Sequence, residues 1–141
     1  MRPGGMLQPK DKSIRYENVR SAAAEEGIIR LLMTEPDLLR MTEKLAAEDF
    51  TSPFLGKTYS IIKERYDQGL NTAIPQLSSC LEAAEISQLT VLMQRPESMR
   101  NSEQAIRDYI ETIKTEQLKK TARDDLRAVT ERYREKKGYG G

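Results

Sequence analysis

The sequence predicts an all-α chain: a six-helix bundle whose last helix is long and leaves the bundle. Three observations carry this. Apolar residues recur at i, i+3, i+4 and i+7 in one segment after another, the period of a helix laid on a core. Nowhere does apolar/polar alternation run long enough to claim a strand. Residues 102–137 contain neither Gly nor Pro and are dominated by Glu, Gln, Ala, Lys, Arg and Leu, all strong helix formers.

Residues 1–15 carry Pro3, Gly4, Gly5 and Pro9 among scattered charges, with no period of either kind. They read as a flexible linker continuing from another domain of a longer protein. Residues 16–118 read as the bundle and 119–141 as a projecting C-terminal segment. The first helix begins between Tyr16 and Ser21 and runs to Met33. Its stripe is Val19, Ala23 or Ala24, Ile28, Leu31 and Leu32. Gly27 within it costs about 1 kcal/mol relative to Ala, so a small residue there points to a close helix crossing. Thr34-Glu35-Pro36 ends the helix, because the residue before Pro is pushed out of the α region.

A short second helix presents Leu38, Met41 and Leu45, and Phe50 plugs the core from the link that follows. Ser52-Pro53 is a start signal: Ser as N-cap, Pro at the first helical position where its missing N–H is no loss. The third helix, 53–68, buries Phe54 or Leu55, Thr58, Tyr59, Ile62 and Tyr66, and Gly69 supplies a left-handed cap. Ile74 to Leu81 reads as the fourth, with Pro75 tolerated in its first turn. Residues 82–94 form the fifth, carrying Ala84 or Glu85, Ile86, Leu89, Leu92 and Met93. Met33, Met41, Met93 and Met99 fill gaps on these stripes. Pro96 marks the loop before the long sixth helix, which Ser102 caps and Gly138 closes.

Composition narrows the chemistry. The 141 residues are 38% hydrophobic and 32% charged with a net charge of +1, which suits small helices with solvated faces and argues against a domain built mainly to hold nucleic acid. No apolar run approaches the roughly 18 residues of a membrane span, and the first residues lack the apolar core of a signal peptide. With Cys80 alone, the expected setting is a reducing cytoplasm, and the side chain reads as a small buried hydrophobe. His is absent, which excludes a structural zinc site and any catalytic arrangement that needs imidazole within the chain. There is no phosphate loop. The acid pairs Glu25/Glu26, Glu48/Asp49 and Asp124/Asp125 diverge by about 100° on a helix and read as solvated faces. The chain is therefore expected to be neither an enzyme by itself nor the holder of a cofactor or metal.

The order of short motifs carries a resemblance. Residues 24–32 (A-E-E-G-I-I-R-L-L) lead into Pro36 and Leu38-Leu39. Glu48-Asp49-Phe50, Ser52-Pro53-Phe54 and Tyr59-Ser60-Ile61-Ile62 follow, and the last helix contains Ala105-Ile106-Arg107-Asp108-Tyr109-Ile110. Together, over roughly residues 17–120, these resemble the C-terminal helicase-binding domain of bacterial DNA primase (DnaG-type). Each motif is weak alone; the specificity lies in order and spacing. The resemblance implies a non-catalytic module that docks a primase on the N-terminal collar of the hexameric replicative helicase (DnaB-type), at the fork where RNA primers are made. It implies a cytoplasmic place in a bacterial replisome, with zinc and magnesium only in the other domains of that DNA-binding nucleotidyltransferase. The alternative of related fold is the helicase collar domain itself, or a free-standing helicase adaptor. In the primase family a terminal helical hairpin follows the bundle. Here only some twenty residues remain after Leu118, so a short hairpin turning at 121–125 and a single extended helix both stay open.

The long helix has two characters. Ile106, Tyr109, Ile110 and Ile113 pack on a core, whereas Leu126, Val129 and Tyr133 lie in a segment, 119–137, with 8 Lys/Arg against 4 Asp/Glu, about +4. This later stripe either folds back on the bundle, engages a partner helix or groove, or brings its cations to DNA. For a partner, the expected contacts are Arg123, Leu126, Arg127, Val129, Arg132, Tyr133 and Arg134, apolar anchors with Arg at the rim. The chain alone is expected to be monomeric, with no small-molecule ligand and no membrane contact.

Overall fold

The computed structural model describes residues 18–140, with side chains through Glu131. The expected linker 1–15 lies outside the described residues, as do the side chains of Arg132, Tyr133 and Arg134. Among the described residues the fold is all-helical, without strands. Its α-helices are α1 (Val19–Thr34), α2 (Pro53–Asp67), α3 (Ile74–Leu77), α4 (Ala83–Met93) and α5 (Ser102–Gly140). The sixth element of the bundle, Pro36–Met41, is a 3-10 helix between α1 and α2, and a further 3-10 turn, Ala47–Asp49, lies in the link.

Helix α1 is the inner member. Asn18 caps it, its side-chain oxygen accepting the Ser21 N–H at 3.0 Å. Ala24, Ile28, Ile29, Leu31 and Leu32 are buried. Val19 was expected in that stripe but is 71% exposed. A helical side chain covers the turn N-terminal to its own position, and Val19 opens the helix with no such turn beneath it. Gly27 does mark a close crossing. The ring of Tyr109 from α5 occupies the space where a side chain would stand.

The second element is a 3-10 helix of six residues, starting at Pro36 and closed when the Thr42 hydroxyl donates to the Leu39 carbonyl at 2.8 Å. Leu38, Leu39 and Leu45 are buried behind it. Phe50 enters the core as expected and stacks on Tyr59, ring centroids 4.9 Å apart. The Tyr59 hydroxyl donates to the Leu45 carbonyl at 2.8 Å, so the apolar ring is buried without orphaning its polar end.

Ser52 caps α2 through its hydroxyl, which accepts the Leu55 N–H, and Gly69 adopts φ 73° just past the helix end. Helix α3 stops at Leu77, a turn earlier than the sequence pattern suggests. The chain then bends outward at 78–80, so Cys80 is exposed rather than buried and Leu81 takes the inward place. At α4, the Glu85 carboxylate accepts the Glu82 N–H at 2.8 Å and Lys57 Nζ from α2 at 2.9 Å, and these bonds, the backbone one foremost, hold it below the usual carboxylate range.

Glu25 corrects the solvated-face reading of the first acid pair. It is fully buried. One oxygen accepts the hydroxyls of Ser21 (2.6 Å) and Thr51 (2.7 Å) and the Thr51 N–H (3.0 Å), and the other accepts the Ser52 N–H (3.2 Å). This carboxylate ties α1 to the start of α2. Its neighbour Glu26 is half-buried, while Asp124 and Asp125 are solvated as expected.

Candidate partner-binding helix

Helix α5 spans 39 residues without a break. At 1.5 Å per residue it is roughly 58 Å long. Of the two forms left open by the sequence, the described backbone takes the single helix, since no turn interrupts 121–125. Ser102, expected as the N-cap, is instead the first helical residue and is buried. Asn101 precedes it at φ 57°, a conformation Asn tolerates, and its carbonyl accepts the Ala105 N–H. Gly138 does not close the helix, which continues to Gly140. Glycine at a helix end permits a left-handed cap without compelling one.

Three polar ties hold α5 on the bundle at the point where it departs. Tyr109 donates to Glu97 at 2.7 Å, and Arg30 of α1 meets the same carboxylate through Nε at 3.0 Å. Burial first, and then this bond to Glu97, push the Tyr109 hydroxyl up to about 12. One turn further along, Asp49 accepts Lys114 Nζ at 3.0 Å and Gln117 Nε2 at 2.8 Å. Burial alone would raise the Asp49 carboxyl, but the Ala46 N–H, Gln117 and Lys114 together bring it below its ordinary value. Glu116 accepts Asn18 Nδ2 at 3.2 Å and Lys119 Nζ at 3.3 Å, and the Asn18 bond first of all holds it low. Among the described side chains of the helix Glu116 is the last that is buried, and every one from Leu118 through Glu131 is exposed.

The expected contact residues fall on two sides of this segment. Leu126 and Val129 are 67% and 53% exposed, so the stripe is not packed on the bundle. Arg123 and Arg127 are turned to the concave corner where α5 leaves the bundle. They line a groove of about 770 Å³ together with Arg20, Asp49, Phe50 and Lys120. The structure thus brings the two arginines together with α1 and the 48–51 segment, and keeps Leu126 and Val129 out of that groove.

Sequence reasoning missed Leu118, which it placed at the end of the bundle and which is 72% exposed. The signal was present: Leu118, Ala122, Leu126 and Val129 follow one another at spacings of four, four and three, one continuous face of a helix.

Among the described residues no group of three or more His, Cys, Asp or Glu side chains is placed to hold a metal ion, and no helix is long and apolar enough to cross a membrane. No protein-family model matches the chain, and neither a curated protein nor a solved structure matches it.

Proposed function

We propose that this chain is a non-catalytic interaction domain of a bacterial DNA primase of the DnaG type, docking the primase on the replicative DnaB-type helicase in the cytoplasm for RNA primer synthesis. The order of sequence motifs supplies the family. One structural observation carries the mode of action: beyond its last anchored turn, α5 presents Leu126 and Val129 to solvent on a helix that nothing else in the described chain covers. Exposed apolar residues on a rigid helix, flanked by arginines, are the ingredients of helix-to-helix recognition. In this reading the bundle is the mount, the ties at Asp49, Glu116 and Glu97 fix the angle of the helix, and no bond is made or broken by the chain itself.

The test is calorimetric titration of the chain into the hexameric helicase of the same organism. Saturable binding is expected, weakened by replacing Leu126, Val129 and Tyr133 with Ala while helical circular dichroism stays the same. No heat and no complex at tens of micromolar would remove the proposal.

A further inference from the structure

We draw no further inference here: the strongest candidate, the concave corner where α5 leaves the bundle, sets Arg20, Lys120, Arg123 and Arg127 against Glu48, Asp49, Glu116 and Asp124, a balance of charge that selects no ligand, and nothing in the structure shows what covers it.

Discussion

The ring of Tyr109 lies over the backbone of Gly27, so close that a side chain at residue 27 would have to displace it. This contact sets how near α1 and α5 approach, and so where the long helix begins its departure. Gly27→Ala combines two opposed effects. Helix propensity favours Ala by about 1 kcal/mol, while forcing a methyl against a packed ring costs about 1–3 kcal/mol. The ring has little freedom to yield, since its hydroxyl is held by Glu97 at 2.7 Å. Gly27→Ala is expected to lower stability by about 1 kcal/mol in urea melts, the net of those two terms. In a Tyr109→Ala background the same change is expected to be stabilising, and a cycle with no sign reversal would refute the crossing as the cause.

The same tyrosine gives a pH dependence. Its hydroxyl is pushed up to about 12 in the folded chain, by burial and by the bond to Glu97, against about 10 in an unfolded one. Between those values the unfolded state releases the proton and the folded state keeps it, so stability falls as pH rises. The contribution is complete below about pH 10 and lost by about pH 12. Tyr59, by burial, and Tyr66, through its bond to Asp37, are raised in the same direction. Tyr109→Phe is expected to flatten the alkaline decline without abolishing it. An ultraviolet titration in which every tyrosine ionises together near pH 10 would contradict it.

Glu25 shows why part of this fold is not legible in the sequence. Helix period identifies Ile28, Leu31 and Leu32 as inward, yet it says nothing of a polar residue whose partners, Thr51 and Ser52, lie 26 and 27 positions away. Removing the carboxylate leaves two N–H groups and two hydroxyls around a void. Glu25→Ala is expected to cost roughly 3–5 kcal/mol, and Glu25→Gln less, since the amide keeps one acceptor oxygen. A Glu25→Ala chain with wild-type stability would show that the buried cluster is dispensable.

The legible features were those encoded locally. The caps at Ser52 and Gly69, the Phe50 plug and the close crossing at Gly27 follow from residue type and nearest neighbours. Cys80 was misread because the run 74–81 has helical spacing throughout, whereas α3 ends at Leu77. Native thiol labelling is expected to modify Cys80 fully without denaturant, and protection would place it back inside. In the candidate interface Leu126 and Val129 were legible from spacing. Leu118 was not assigned there, because membership of the bundle depends on where Glu116 and Gln117 find their partners, residues 18 and 49, far away in sequence.

The exposed half of α5 raises the question of what keeps it helical. The side chains of residues 119–131 are all exposed, so tertiary packing, the usual source of helical stability, contributes little there. The helix instead continues from a nucleus already paid for by Ile106 and Ile113, both fully buried, and each added residue needs only propagation. Deleting residues 122–141 is therefore expected to remove helical signal in circular dichroism roughly in proportion to length, while the bundle melts at an unchanged temperature. The fragment of those residues alone, lacking the nucleus, is expected to be largely unfolded in water. A fall of several degrees in the melting temperature of the shortened chain would mean that the tail braces the bundle, and would leave less of its surface for a partner.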